Sequence, residues 1–325
     1  MNPRLTACGA GLASAILFAL PVKGTFAALC VSLLAPLPLL ICSLGFGLQA
    51  GGIACLIGAC LSALLLQPNF ALIYLITLGL PAWGLGLIVA QDPDAEGAPA
   101  WLVPHARLSG ILTWIVMLSI AMSGASLAFI IASFDSVEAA RTEMTQQLLP
   151  LVQEALIAPS ALTDSLTPER LTDLIISSMP AVMAVWSVIT LSLNLYLAAR
   201  IVAVSGLLHR SWPDLPTQLR MPKWMLIVLI SLAGITYELP ILRPFASICL
   251  AASLIAFSFH GLALIHAMAR FSRMRMSILI TTYVVHILLV PWPFLITALL
   301  AVIDEFIPLP RAAAPLNPLN TTDQP

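Results

Sequence analysis

Apolar runs of about 20 residues, the length that crosses a bilayer core, follow one another through most of this chain with only short polar turns between them. They read Leu5–Pro21, Phe26–Leu44, Phe46–Leu66, Phe70–Ala90, Leu108–Ser133, Met179–Val202, Trp224–Tyr237, Phe245–Met268 and a last stretch, Met276–Val302. In hydrocarbon a backbone must satisfy its own hydrogen bonds, which dictates helices for such runs. Only 9% of residues are charged and mean hydropathy is +1.01, against roughly 25% charged in soluble domains. The fold class that follows is all-α: a polytopic transmembrane bundle of about nine spans. Pro291-Trp292-Pro293 interrupts the last stretch, which reads as one kinked span or two half-spans and leaves the side of the C-terminus open. The run behind Arg4 resembles a signal peptide, but another span follows at once and no small-x-small cleavage site appears, so it reads as a retained helix.

Lysine and arginine set the orientation. With the N-terminus in the cytoplasm, nine lie inside (Arg4, Arg107, Arg200, Arg210, Arg220, Lys223, Arg270, Arg273, Arg275) and four outside (Lys23, Arg141, Arg170, Arg243). The expected location is the inner, cytoplasmic membrane. A net charge of −1 gives no reason to expect nucleic acid as a partner; the expected partners are membrane lipid and a membrane protein subunit.

Within the second run stands Pro36-Leu37-Pro38, followed by Gly45, Gly47, Gly51 and Gly52. Proline lacks a donor and breaks the helical ladder. Freed groups survive in a membrane only where protein or a water-lined cavity shelters them. This stretch therefore predicts a broken helix, a tight turn and a close-packed next helix. A substrate pocket there would be lined by Pro36, Pro38, Gln49 and Asn69.

Small residues four apart let helix backbones approach closely in lipid. Ala7, Gly11 and Ala15 form such a row, and the third run repeats the device with Ala54, Gly58 and Ser62 and with Gly47 and Gly51. They read either as docking faces for a partner subunit or as contacts inside the bundle.

The longest polar segment, Phe134–Ser178, carries seven acids and two bases. Asp135 with Glu138 resembles a capping box, and Met144, Leu148, Leu151, Val152 and Ala155 recur at helical spacing. The segment reads as an amphipathic extracytoplasmic helix, either a solvated connector or a lid. Thr167-Pro168 marks a second helix start, one able to run straight into the sixth span.

Chemistry-bearing motifs are sparse. The six cysteines have no CxxC spacing and read as apolar packing residues. Asn194, His260, His266 and His286 are buried polar candidates. His260 and His266 stand about 240° apart on a helix, so they do not pair on one metal. No HExxH, GxSxG, Walker A or GxGxxG motif occurs. No catalytic residue, cofactor or metal is expected, and the chain reads as a non-enzyme.

Pro36–Leu39 with Gly45, Gly47, Gly51 and Gly58 resembles the N-terminal part of the YybS-like family of predicted membrane proteins (domain of unknown function 2232). Pro180, Asn194, Arg200, the Leu215-Pro216…Met221-Pro222-Lys223-Trp224 run, Gly261-Leu262-Ala263 and Asp304 resemble its later pattern. Glu305-Phe306-Ile307-Pro308 stands where relatives carry an aromatic-basic ending. The first half is similar to the S components of energy-coupling-factor transporters, which dock a coupling subunit through a small-residue face; MreD, of the cell-shape apparatus, has a similar N-terminal pattern and transports nothing. The runs divide the chain into a four-span half over 1–90, which the resemblance likens to an S component, a cytoplasmic loop and fifth span over 91–133, the outer segment over 134–178, C-terminal spans over 179–307 and a tail over 308–325 whose proline, alanine and asparagine read as disorder. The resemblance implies a substrate-capture or transport subunit, or alternatively a membrane scaffold in envelope assembly.

Overall fold

The structure, a computed structural model, describes residues 2–91, 107–155, 167–208, 212–239 and 242–311. Those residues form helices joined by turns, with no strand among them. The first span is α1 (Pro3–Ala19), capped by the Asn2 side chain, extended by a 3-10 turn (Leu20–Lys23). The second is α2 (Phe26–Ser32) and α3 (Leu37–Phe46); the third is α4 (Leu48–Leu65). The fourth joins α5 (Asn69–Tyr74), a π-helical turn (Leu75–Gly79) and α6 (Leu80–Val89). Then come α7 (Leu108–Ala132), α8 (Val137–Ala155), α9 (Pro168–Val204), the short α10 (Leu215–Gln218), α11 (Lys223–Glu238), α12 (Arg243–Ala269), α13 (Arg275–Leu288) and α14 (Trp292–Phe306). Seven of these spans are long and apolar enough to cross a membrane among the described residues. The expected nine are reached only by adding shorter helices: α11 has 16 residues, α13 has 14 and α14 has 15.

Two helices organise the bundle. α9 packs on α3, α7 and α12, and α12 packs in turn on α11 and α14. Leu39, Leu40, Leu191, Ile248 and Phe257 fill the core between them. On the other side α1 lies on α3 and α4. The small-residue row Ala7, Gly11, Ala15 is buried in that contact, where a Cβ on Gly11 would stand 2.6 Å from the Ala54 carbonyl oxygen. Gly51 faces Ser43 and Gly58 faces the Tyr74 hydroxyl, while Gly47 makes the α3–α4 hinge at φ 94°. These rows are therefore used inside the bundle, and the docking reading of them gives way to internal packing.

The predicted break is real, and its cost is met by side chains. Leu37 N–H turns to the Leu34 carbonyl instead of Leu33, because Pro36 and Pro38 leave no donors to continue an α-ladder. The stranded Leu33 carbonyl accepts from Asn194 Nδ2 on α9 at 2.7 Å. The Ala35 carbonyl accepts from Ser14 Oγ on α1 at 2.7 Å, and Ser14 also bonds the buried Tyr74 hydroxyl. Both carbonyls thus find donors on neighbouring helices, as a membrane interior demands. The fourth span has its own irregularity. Pro81 has no N–H for the Thr77 carbonyl and crowds it, and the chain absorbs this in the wide turn Leu75–Gly79.

The Phe134–Ser178 segment, expected on the outer side, differs from expectation in detail. Ser136, not Asp135, caps α8, its Oγ accepting from Ala139 N–H. Thr167 caps α9 as predicted, accepting from Arg170 N–H, and α9 runs unbroken for 37 residues from the outer segment through the membrane. The expected boundary at residue 178 falls inside this helix. Arg141 on α8 pairs with Asp173 on α9, and α8 lies along α9.

α13 and α14 are two short helices, not one kinked span. Beyond α14 the chain returns to the end of the bundle where α11 begins. Arg311 donates to the carbonyls of Pro216, Thr217 and Leu219 and to Asp304 Oδ2 at 2.7 Å. Leu309 N–H donates to Asp304 Oδ1. So the expected disordered tail does not begin at 308: residues 309 and 311 are pinned. Residues 312–325, like Arg210 and most of the loop 91–107, lie outside the described residues.

Candidate functional site

Both helix irregularities face one cavity. It measures about 230 Å³ and lies among α2, α3, the π-helical turn, α7 and α9. Ser32, Leu33 and Pro36 come from the break, Thr77 and Leu78 from the π-helical turn, Ser123 and Ser126 from α7, and Ser187 and Thr190 from α9. Met122, Met183, Trp186 and Leu191 supply the apolar wall. No residue lining it is ionisable.

The hydroxyls divide into two kinds. Ser32, Thr77 and Ser187 donate to carbonyls of their own helices, to Leu29, Ile73 and Met183. Ser123 Oγ and Thr190 Oγ1 are buried with no partner among the described residues. One turn from each, Ser119 Oγ and Asn194 Oδ1 are also buried and unpartnered. A buried polar atom without a partner costs roughly 1–3 kcal/mol. Four such atoms on two facing helices therefore mark a place where a polar occupant, solute or water, is favoured.

The sequence-derived residues divide sharply. Pro36 lines the cavity and Pro38 is half-buried beside it. Gln49 is exposed in the first turn of α4 and Asn69 is exposed at the start of α5, with the length of α4, about 27 Å at 1.5 Å per residue, between them. Neither lines the cavity that Pro36 lines, and that part of the expectation is corrected. On α7 the row Ser119, Ser123 was missed, and on α9 the pairing of Thr190 with the predicted candidate Asn194. Both are i, i+4 polar pairs in otherwise apolar helices, a signal available from spacing alone.

The buried polar candidates have structural duties. Asn194 closes the helix break. His260, fully buried, accepts from Met221 N–H through Nδ1, which leaves the proton on Nε2 to donate to Asp304 Oδ2 at 3.1 Å. Arg311 donates to the same Asp304 oxygen, which brings its Nη2 within 2.8 Å of His260 Nε2. This latch joins α12, α14 and the loop before α11. His286 bonds the Thr282 carbonyl and abuts Phe294; His266 bonds the Tyr283 hydroxyl. No group of three metal-ligating side chains forms among the described residues.

No curated protein and no solved structure matches the chain. Residues 12–305 match the model of a family described as predicted membrane protein (DUF2232). That stretch includes the proline break, both helices that carry the unpartnered hydroxyls, and Asp304 of the latch. The chain is a multi-pass membrane protein and belongs to this family.

Proposed function

We propose that this protein captures a small, uncharged polar solute in the hydroxyl-lined cavity, as a transport-related subunit resembling the S components of energy-coupling-factor transporters. The observation that carries the reading is the pair of unpartnered buried hydroxyls, Ser123 and Thr190, in a cavity bounded by two helix irregularities. Membrane substrate sites characteristically sit where helices are broken, because unwound backbone and small polar side chains are then available to a ligand. The absence of charge on the lining favours a neutral solute over an ion. In this reading the protein lies in the inner membrane with its N-terminus in the cytoplasm, has no catalysis of its own, and relies on a partner subunit for energy.

Purified full-length protein screened by thermal shift against neutral polyols, nucleosides and vitamins tests it. The expected result is stabilisation by one chemical class, lost in Ser123→Ala and Thr190→Val. A flat response across the panel overturns it. The scaffold reading has its own support in Val137, Leu151 and Leu174, which stand exposed on the outer helices α8 and α9. It predicts recovery of envelope-assembly proteins in a pull-down that is lost when residues 134–166 are deleted.

A further inference from the structure

A second, larger cavity of about 490 Å³ lies further along α9, sharing no lining residue with the first, among α7, α9, α12, α13 and the loop before α11. It falls within the range of about 300–1,000 Å³ typical of ligand pockets. Its walls are Leu, Ile, Phe259 and Tyr196, and Trp212 closes one side. Two polar atoms on its lining, Trp212 Nε1 and Ser192 Oγ, are buried with no partner among the described residues. The polar edge is the His266–Tyr283 pair, whose ring nitrogen and hydroxyl stand 2.8 Å apart.

Around this cavity the charges are one-sided. Arg107 caps α7 directly before the lining residue Leu108, Arg200 lies one turn beyond Tyr196 on α9, and Arg275 opens α13. Arg107, Arg200 and Arg275 are exposed. The carboxylate beside the lining, Asp214, is paired with Arg270 through two bonds of 2.7 Å. An apolar cleft between membrane helices with a cationic mouth matches a molecule that is long and apolar at one end and anionic at the other. Basic pockets of this kind between membrane helices take phosphate head groups of lipids.

We propose that this cavity holds one acyl chain of an anionic phospholipid from the leaflet facing the arginine-rich end, its phosphate among Arg107, Arg200 and Arg275 and a glycerol or ester oxygen accepting from Trp212 Nε1. The site is separate from the hydroxyl-lined cavity and does not depend on it.

Native mass spectrometry of the full chain in detergent tests the assignment, with phosphatidylglycerol and phosphatidylcholine of identical chains added in turn. One phosphatidylglycerol should survive activation that strips phosphatidylcholine, with at least tenfold higher occupancy. The surface variants Arg275→Gln and Arg200→Gln should each lower that occupancy about threefold. Leu112→Trp, which fills the cavity, should abolish it while leaving any solute response intact. Equal retention of the two lipids overturns the proposal, as does unchanged occupancy in both arginine variants, even if Leu112→Trp fails to fold. Binding of free glycerol phosphate with no lipid retained also overturns it.

Discussion

The bond from Asn194 to the Leu33 carbonyl allows a quantitative test of how a broken membrane helix is tolerated. Replacing Asn194 with leucine keeps the branched side-chain shape, with slightly larger terminal groups, and removes the donor 2.7 Å from that carbonyl. In proteins generally, leaving a buried carbonyl unpaired costs about 1–3 kcal/mol. Interhelical hydrogen bonds in membranes average only about 0.6 kcal/mol and reach about 1.7, because separated helices find other partners. Here Leu37 N–H, the donor an unbroken ladder would give Leu33, is turned to the Leu34 carbonyl, to which Pro38 has no N–H to offer. That argues for the top of the membrane range. Removing the unpartnered Oδ1 works the other way. The net expectation is a loss of about 1–2 kcal/mol, read from reversible unfolding in mixed micelles. The decisive arm is the same substitution in a Pro36→Ala, Pro38→Ala background. There the chain regains its N–H groups and an unbroken ladder can satisfy Leu33, so Asn194→Leu should cost less than about 0.5 kcal/mol. Equal cost in both backgrounds would show that Asn194 does not serve the break.

Other perturbations test other joints. Gly261→Ala should cost about 3 kcal/mol or prevent folding, because its Cβ would fall 1.9 Å from the Thr297 carbonyl oxygen and force α12 and α14 apart; Gly84→Ala, which meets no heavy atom within 4 Å, should be tolerated in the same thermal assay. Arg311→Ala should cost about 3–5 kcal/mol by leaving a buried carboxylate uncompensated, since the Asp304 side chain is only 1% exposed; a loss below about 1 kcal/mol in mixed-micelle unfolding would contradict the latch. Hydrogen bonds from Arg270 hold the Asp214 carboxyl below its ordinary range. Its stabilising contribution is therefore complete above the unfolded value of about 3.9 and disappears as pH falls through the lower folded value. Asp214→Asn should flatten the acid limb of a plot of melting temperature against pH, and an unchanged limb would refute the pairing.

How far the sequence disclosed this molecule depends on which physical signal was involved. Hydrophobic length revealed the long spans directly, because the membrane imposes it. Pro36 and Pro38 marked the break for the same reason: a missing donor is a local property. Thr167-Pro168 marked the start of α9 and its run into the membrane. Properties that depend on which helix faces which were not legible. The row Ala7, Gly11, Ala15 has the same spacing whether it meets α4 or another protein, and only the packing shows α4. Gln49 and Asn69 follow the break in sequence, yet the rigid α4 stands between them and places Asn69 beyond its far end. Arg311 sits in a stretch rich in proline and alanine, so composition argued for disorder, while the nearby Asp304 carboxylate and the distant carbonyls of Pro216, Thr217 and Leu219 hold it. Ser123 and Thr190 were readable as polar pairs in apolar helices, but their convergence needed the bundle.

The continuity of α9 has a mechanical consequence. At 37 residues it is about 55 Å long, well beyond the roughly 30 Å of hydrocarbon, and it joins the Arg141–Asp173 contact at one end to Tyr196 and Arg200 at the other. Pro180 is the proline within it, the place where bending concentrates. Thr190 stands ten residues further on, about 15 Å along the axis. A tilt of about 5° at Pro180 would carry the Thr190 hydroxyl by roughly 1 Å, enough to break or make a hydrogen bond with whatever the cavity holds. Force applied to the outer helices is thereby delivered to the wall of the cavity as a lever stroke, with no loop between to absorb it.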